Sequence, residues 1–414
     1  MDSVRTEAPA AHALLWRDHS GPLRGVRVID VTSVISGPFA TNLLADFGAE
    51  VIKIEQPGAG DAARNMGPFE RGESLRFPSL NRNKKCITLN LDDPRGAALF
   101  RRLAAEADLV VENYRPGVME RFGLGPDGLR AVNPRLIFVR ISGYGQTGPY
   151  RDKAGFGTPA TAFGGLTHLM GHPDRPPLNV PIPLADLLAG MYGAMAALMA
   201  LYWRDTGGGE GQVADVSLYE SVFRLLEGLV AEYGVSGRVR GRTGDLGGAS
   251  PAGVYETGDG RHVVLVCSTD RTFKRLAEAM GRADMIADPR YSTNARRVQH
   301  KDEVDAIVGA WLEARTLEES RSVLDAVGCP MSPVNSIADI FADPQYRARE
   351  DIVEVDHPRF GKVPMPGPVP MLSRTPGRVV HGGADRGAHN DAVLGGLLGL
   401  TADEIEALRQ EGVL

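Results

Sequence analysis

The sequence predicts an α/β protein: a large Rossmann-like domain around a parallel sheet, followed by a smaller α+β domain. Two observations support this. In the first half of the chain, β-branched runs alternate with helical patterns, an order typical of a parallel sheet covered by helices. Later, a hairpin pattern centred on residues 258–260 is followed by two amphipathic helical patterns, as expected of an α+β unit.

The first strand–helix–strand unit begins with "GVRVIDVTS" at residues 25–33. In the next segment, Pro38 suits the first turn of a helix and Gly48 is a stop signal, and "EVIKIE" follows as a second strand. The pattern recurs through "KCITLNL", a helix capped by Asp93, "DLVVEN" and "RLIFVRIS". Ligands of such sheets bind beyond the carboxyl ends of the strands.

The domain organisation follows from shifts in composition along the chain. We predict five segments: a flexible N-terminal arm over residues 1–22, the large domain over 23–225, a Gly- and Arg-rich linker over 226–250, the small α+β domain over 251–333, and a return linker with C-terminal helices over 334–414. The last segment is expected to complete the large domain.

Composition excludes several classes of function. The chain has 414 residues and a net charge of -6, which argues against a general nucleic-acid-binding protein because phosphate contacts need a basic surface. Cys86, Cys267 and Cys329 are far apart and form neither a disulfide pattern nor a metal-ligand spacing. The N-terminal segment has no apolar core long enough for a secretory signal, so we expect a cytoplasmic protein.

The segment Leu184–Trp203 is almost wholly apolar yet contains one carboxylate, Asp186. About 20 residues are enough to span a bilayer. However, this segment consists largely of Ala, Gly and Met, and Arg204 and Asp205 follow directly, so we expect a buried core helix and no membrane partner. Asp186 is either a catalytic group, a surface charge, or an acid that favours the helix start by about 0.3–1 kcal/mol.

The stretch "GYGQTG", residues 143–148, matches the glycine fingerprint of dinucleotide-binding proteins. That fingerprint requires a helix that opens at the glycines. The following residues, "PYRDKAGFGTP", have no helical period, so the sequence predicts a glycine-rich loop instead.

Several segments, in this order, resemble the class III CoA-transferases, the family of formyl-CoA transferase and carnitine CoA-transferase: "LRGVRVIDVTSVISGPFATNLLADFGAEVIKIEQPGAGD", "NRNKKCITLNL", "ADLVVENYRPGVMERFGL", "NPRLIFVRISGYGQTGPY" and "PLADLLAGMYGAMAAL". The resemblance extends from about Leu23 to Arg409. It implies an interlocked homodimer that transfers CoA from an acyl-CoA to a free carboxylic acid, with CoA entering as part of the substrate and no metal.

The resemblance also implies that Asp186 is the nucleophile, acting through an aspartyl anhydride and an aspartyl-CoA thioester. The chemistry of the side chain agrees. An aspartate with its ordinary pKa of about 3.9 is already an anion at neutral pH, so it needs no partner base to attack a thioester carbonyl.

By the same resemblance, the CoA-binding residues are Val34, Leu89, Asn113, Tyr114, Arg115, Arg121 and Tyr144. Arg121 is a candidate phosphate partner because a guanidinium group suits bidentate phosphate binding. The structural alternatives are core positions for Val34 and Leu89 and a solvated charge for Arg121.

The predicted substrate-binding residues are Gly247, Gly248 and Arg76. The two glycines could present backbone amides to an oxyanion, although their loop is shorter than the glycine loop of formyl-CoA transferase. Arg76 matches a tyrosine near the substrate of that enzyme, and a guanidinium there would pair with a second, distal carboxylate. A dicarboxylic substrate of the succinyl-CoA type follows; alternatively, Arg76 faces solvent or a CoA phosphate.

Departures from the pattern leave the substrate and the reaction open. Ile35 and Gln56 stand where formyl-CoA transferase has Gln and Arg, so its substrate is not assumed here. An α-methylacyl-CoA racemase of the same fold would need a His and Asp acid/base pair, but Phe156 occupies the His position, and His168 and His172 lie off it. A non-catalytic CoA-binding protein is the third alternative, which a covalent aspartyl-CoA adduct would exclude.

Overall fold

The computed structural model of the protein describes residues 21–244, 247–357 and 359–414. It divides into two compact units. Unit 1 comprises the described residues up to Leu166 together with Val180–Val230 and Arg347–Leu414, and unit 2 comprises Thr167–Asn179 and Ala231–Tyr346. Residues 1–20 of the predicted N-terminal arm lie outside the described residues.

The strands, in chain order, are β1 Arg27–Asp30, β2 Glu50–Glu55, β3 Phe69–Glu70, β4 Glu73–Ser74, β5 Lys84–Thr88, β6 Leu109–Glu112, β7 Ile137–Ser142, β8 Val213–Ser217, β9 Ala252–Glu256, β10 His262–Val266, β11 Met331–Pro333, β12 Ile352–His357 and β13 Gly361–Pro366. Unit 1 contains a six-stranded sheet with the order β5-β2-β1-β6-β7-β8, in which all neighbouring strands are parallel. The predicted α/β class is confirmed.

The helices, in chain order, are α1 Ser36–Asp46, α2 Arg76–Asn81, α3 Pro94–Ala105, α4 Val118–Arg121, α5 Pro126–Val132, α6 Gly157–Phe163, α7 Leu166–Leu169, α8 Leu184–Trp203, α9 Leu218–Phe223, α10 Gly228–Ser236, α11 Asp270–Ala279, α12 Asp284–Ala287, α13 Asn294–Gln299, α14 Lys301–Glu313, α15 Leu317–Val327, α16 Ile337–Ala342, α17 Pro344–Ala348, α18 Gly396–Leu398 and α19 Ala402–Gln410.

Each face of the six-stranded sheet packs against its own hydrophobic core. Successive side chains of a strand point to opposite faces, so neighbouring residues of one strand belong to different cores. Along β1, Val28 belongs to the core formed with α1, α8 and α9, whereas Ile29 belongs to the core formed with α3, α5 and the C-terminal helices. Burial on two faces explains the nearly continuous β-branched runs seen in the sequence.

Local signals in the sequence correctly predicted several boundaries. The Asp93 carboxylate accepts a hydrogen bond from the Arg95 N–H at 2.8 Å and caps α3. Gly48 follows α1 with a φ of +100°, in the left-handed region that favours glycine. The segment after β7 remains non-helical until Gly157, so the glycine-rich loop is also confirmed.

Helix α8 packs its small residues against α1 and β7. A Cβ atom at Gly190 would lie 2.7 Å from the Ser36 carbonyl oxygen, and one at Gly193 would lie 2.9 Å from Ile141 Cδ1. The opposite face exposes large apolar side chains, among them Met199. With the turn that follows it, this helix is long and apolar enough to span a membrane by length and composition. The expected burial therefore holds for one face only.

Unit 2 contains an antiparallel sheet of order β11-β10-β9, with its core formed by α11, α14 and α15. The hairpin predicted around Gly258–Gly260 joins β9 to β10, as the antiparallel register shows.

The observed boundaries differ from those inferred from the sequence. Residues 167–179, placed in the large domain by sequence, belong to unit 2, and unit 2 continues to Tyr346 instead of ending at Pro333. The linker predicted over 226–250 contains helix α10. The return segment contains the hairpin β12–β13, whose Pro-rich second strand concealed the alternation of a strand.

Candidate active site

Asp186 lies in the first turn of α8, a helix that begins after Pro183 with no side-chain cap. Among the described residues no cation pairs with its carboxylate, and its own backbone N–H is the one group that lowers its pKa. Burial outweighs that contact and raises the pKa of Asp186 to about 6, because a charged carboxylate is poorly solvated there. The group is therefore largely anionic at neutral pH, but without a counter-charge.

Gly157, the first residue of α6, lies directly against this carboxylate. An ideal Cβ atom at Gly157 would lie 1.8 Å from Asp186 Oδ2 and 2.9 Å from Asp186 Cγ. The carboxylate thus occupies the space that any other residue would fill with its side chain.

The loop after β7 supports the segment that contains Gly157. A Cβ atom at Gly155 would lie 2.6 Å from Gly143 Cα, so the two backbones are in close contact. Gly143 is followed directly by Tyr144, a predicted CoA-binding residue. Two glycine contacts therefore connect the loop of Tyr144 to Asp186.

The loop after β1 lies at the point where the strand order reverses, between β1 and β6, and this is where open α/β sheets bind ligands. Its Val34 has a φ of 71°, which is an outlier for a β-branched residue. The Val34 N–H donates to Asp61 Oδ1 at 2.9 Å. Ser33, the residue before Val34, is held by Asn113, which follows β6. Asn113 Oδ1 accepts a hydrogen bond from the Ser33 N–H at 2.9 Å, and Asn113 Nδ2 donates one to the Ser33 carbonyl at 2.8 Å.

Two fully buried lysines, Lys53 and Lys84, bind residues at the end of β1 and in the loop that follows it. Lys53 Nζ donates to the Thr32 carbonyl at 2.9 Å and pairs with Asp61 Oδ2 at 2.8 Å. Lys84 Nζ makes three hydrogen bonds, including one to Asp30 Oδ2 at 3.0 Å. Burial opposes the charge on Asp30, but the two lysines hold the pKa of this carboxyl below its usual range.

Tyr114 and the two predicted arginines follow the same strand end as Asn113. The Tyr114 N–H donates to Glu112 Oε2 at 2.7 Å, and its ring meets Phe122 edge-on. Arg115 and Arg121 are exposed, and neither pairs with a carboxylate among the described residues. Their guanidinium groups remain available for a phosphate.

Tyr144 belongs to a cluster of four aromatic rings with Tyr150, Phe163 and Tyr219, at centroid distances of 5.1–6.0 Å between contacting pairs. Tyr150 and Phe163 are exposed. The cluster forms an aromatic surface at the carboxyl end of β7.

Two predictions need refinement in the light of side-chain positions. The Leu89 side chain is buried in the core, so a contact with CoA at this position is restricted to the backbone. Arg76, at the start of α2, is half-buried, and its Nε donates to the Gly67 carbonyl at 2.8 Å. No carboxylate of the described residues pairs with Arg76, so its role toward a substrate stays a prediction.

Gly247 and Gly248 lie in unit 2, outside the unit that contains Asp186, and their proposed role is untested. The Gly248 carbonyl accepts a hydrogen bond from Asn294 Nδ2 at 3.1 Å. His168 and His172, considered for a racemase, also belong to unit 2. Phe156, at the position where a racemase would have its histidine, is 69% exposed.

Sequence reasoning missed Gly157, Asp61 and Lys53. Gly157 could have been noticed as the second glycine of "GFG", but no pattern shows that it meets a carboxylate 29 positions further along the chain. Lys53 lies in an apolar strand, where a charged residue is itself a signal, since buried lysines are rare unless paired.

Comparison with known proteins shows the family of the chain. The sequence profile described as CoA-transferase family III matches residues 23–390. The chain is 43% identical over 395 residues to succinyl-CoA–D-citramalate CoA-transferase of Chloroflexus aurantiacus, covering 95% of this chain and 98% of the relative. It is also 43% identical over 398 residues to the beta subunit of succinyl-CoA–L-malate CoA-transferase of the same organism, with coverage of 95% and 98%.

Among solved structures, a CaiB/BaiF family protein from Brucella suis superposes with a TM-score of 0.81 at 31% identity, covering 91% of this chain and 99% of that one. The profile match and the two relatives each extend over most of the chain, and they confirm the resemblance inferred from its motifs. The chain therefore belongs to CoA-transferase family III and is a class III CoA-transferase.

Proposed function

We propose that this class III CoA-transferase moves CoA from a succinyl-CoA-type donor to a free dicarboxylic acid, with Asp186 as the nucleophile. The observation that carries the proposal is the Asp186 carboxylate, which is half-buried, poorly solvated and without a paired cation among the described residues. A strongly shifted pKa at a ligand-binding edge of an α/β sheet is typical of a functional group.

The proposed reaction consists of two symmetrical halves. An Asp186 oxygen attacks the donor thioester carbonyl and expels the CoA thiolate, leaving a mixed anhydride. The thiolate then attacks the aspartyl carbonyl, releases the donor acid as a carboxylate and forms an aspartyl-CoA thioester. The acceptor carboxylate attacks this thioester and expels the thiolate, which finally attacks the new acyl carbonyl and frees Asp186.

For CoA, we propose a site along the carboxyl edge of the sheet. It includes the loop of Val34, the segment from Asn113 to Arg115, and Tyr144, each of which follows a strand of the parallel sheet. Arg115 and Arg121 pair with no carboxylate among the described residues, and their guanidinium groups suit the phosphates of CoA. For the oxyanions we retain the backbone amides of Gly247 and Gly248 as candidates.

The dicarboxylic substrate is supported by relatives and by Arg76. The two Chloroflexus relatives are named for succinyl-CoA as donor and for D-citramalate and L-malate as acceptors, all of which contain a second carboxylate. Arg76 has no carboxylate partner among the described residues, and a desolvated guanidinium pairs well with a carboxylate. We propose that it binds the distal carboxylate of the acyl group.

We also propose that the enzyme works as an interlocked homodimer, as its family resemblance implies. The exposed apolar side chains on α8, including Met191, Met195, Met199, Tyr202 and Trp203, are consistent with a further protein surface covering this helix. Light scattering should give the mass of two chains at every concentration where the protein is folded; a stable folded monomer would contradict the proposal.

The nucleophile is tested by Asp186→Ala. We expect this variant to lose acyl exchange by at least about 10⁴-fold while CoA still binds, because the attacking oxygen is removed and the sheet edge is unchanged. Hydroxylamine trapping of the wild type with an acyl-CoA should modify Asp186, as read by peptide mass spectrometry. Asp152→Asn, which changes an exposed carboxylate of unit 1, serves as the control and should remain active; near-full turnover by Asp186→Asn would exclude the role.

The pH dependence follows from the raised pKa of Asp186, which is about 6. Only the anion attacks, so the rate of aspartyl-CoA formation from donor alone should rise with pH up to about 6 and then level off. Omitting the acceptor acid removes its own titration from the profile. A rate that is flat from pH 5 to 7 would contradict the assignment.

The contribution of Asp186 to stability should fall as the pH rises, in contrast to the rate. The reason is that the folded state binds the proton of Asp186 more tightly than the unfolded state does. Above the folded pKa the poorly solvated anion destabilises the fold, so Asp186→Asn should raise the free energy of unfolding at pH 7.5 by about 1–3 kcal/mol. This gain should shrink below pH about 6 and disappear near pH 3.8. Denaturant titrations at several pH values would measure it.

The role of Arg76 is tested by Arg76→Leu with matched acceptors. Loss of one charged pair should reduce kcat/KM for a dicarboxylic acceptor by about 10- to 100-fold, with little change for a monocarboxylic acid of similar length. Arg24→Leu, which makes the same change at an exposed arginine of unit 1, is the control. Equal losses for the two acceptors would remove the proposed contact with the distal carboxylate.

A further inference from the structure

The segment from Gly143 to Gly157 contains a contact that the proposed chemistry does not yet use. The three atoms nearest to an ideal Cβ at Gly157 all belong to the Asp186 carboxyl group, at 1.8 Å for Oδ2, 2.9 Å for Cγ and 3.6 Å for Oδ1. Real Cβ atoms essentially never approach a heavy atom closer than 3.0 Å. Any side chain at this position would therefore move the carboxylate oxygen by more than about 1 Å, a displacement that can reduce a rate about 100-fold.

We propose that Gly157 is a positioning residue for the nucleophile. Because glycine has no side chain, the Asp186 carboxylate can occupy the space next to Gly157 and is held there for attack. The inference rests on the proposed role of Asp186 and extends it to a second residue.

The backbone on each side of this contact is closely packed against neighbouring elements. On one side, α8 is held by the close approach of Gly190 to the Ser36 carbonyl and of Gly193 to Ile141. On the other side, the backbone of Gly155 already lies against Gly143, where a Cβ would be 2.6 Å from Cα. Packed elements do not yield by an ångström without loss elsewhere, so the displacement falls on the side-chain torsions of Asp186.

The backbone at Gly157 does not itself require glycine. Gly157 has no positive φ, unlike Gly145 or Gly148 in the preceding loop, and it begins a helix, where alanine is the more favourable residue. Alanine is thus excluded at position 157 by the carboxylate and not by backbone conformation. This separates a role in positioning from a role in folding.

The kinetic test is Gly157→Ala in the full-length enzyme. We expect kcat to fall by about 100-fold or more, while the dissociation constant for CoA changes by less than about threefold, because only the nucleophile is displaced. Gly128→Ala is the matched control: Gly128 is a helical glycine of unit 1 whose Cβ would meet nothing closer than 3.7 Å, so its kcat should be unchanged. A Gly157→Ala enzyme with wild-type kcat would overturn the inference.

Thermal unfolding in two backgrounds identifies the group that Gly157 accommodates. The change in Tm caused by Gly157→Ala should be less favourable with Asp186 present than in Asp186→Ala, where the carboxyl atoms are gone. An equal change in the two backgrounds would show that the carboxylate is not what excludes the side chain, and the inference would fail. Absence of a trapped adduct at Asp186 in the wild type would instead refute the proposed function, while the thermal comparison would still report on the contact.

Discussion

The proposed chemistry depends on a half-buried carboxylate, that of Asp186, which has no cationic partner among the described residues. The fully buried carboxylates in the described part of unit 1 have cationic partners: Asp30 with Lys84, Asp46 with Arg82, Glu55 with Arg64, Asp61 with Lys53, and Glu112 with Arg140. Asp186 differs from these carboxylates, because no cation of the described residues pairs with it. Because an unpaired and poorly solvated charge destabilises a protein, the presence of Asp186 at this position is better explained by function than by folding.

Small residues make this arrangement possible. Glycines on α8 bring the helix against its neighbours, and Gly143 and Gly155 bring the loop after β7 against the segment that ends at Gly157. In the loop after β1, a buried ion pair stabilises the backbone instead. Asp61 pairs with Lys53 and accepts a hydrogen bond from the N–H of Val34, which has a left-handed conformation. The nucleophile and the proposed CoA loop are thus supported by two different physical means, close backbone packing and satisfied buried charge.

Much of this could be predicted from the sequence. Alternating β-branched and helical patterns predicted the parallel sheet, and the lone carboxylate in an apolar segment made Asp186 the candidate nucleophile, a role that stays a prediction. Three features could not be predicted, for physical reasons. The contact of Gly157 with Asp186 joins residues distant in the chain, the Leu89 side chain is apolar whether it faces the core or a ligand, and the strand β13 has prolines that hide its alternation. Each depends on tertiary packing, which local patterns do not contain.

Oxygen transfer tests the central claim most directly. If the acceptor carboxylate attacks the aspartyl thioester, its attacking oxygen becomes the bridge of the anhydride and remains on Asp186 when the CoA thiolate takes the acyl group. Turnover with an acceptor acid labelled with ¹⁸O in its carboxylates should therefore place labelled oxygen in the Asp186 side chain, as detected by mass spectrometry of the peptide that contains it. A peptide that stays unlabelled after many turnovers would contradict the account.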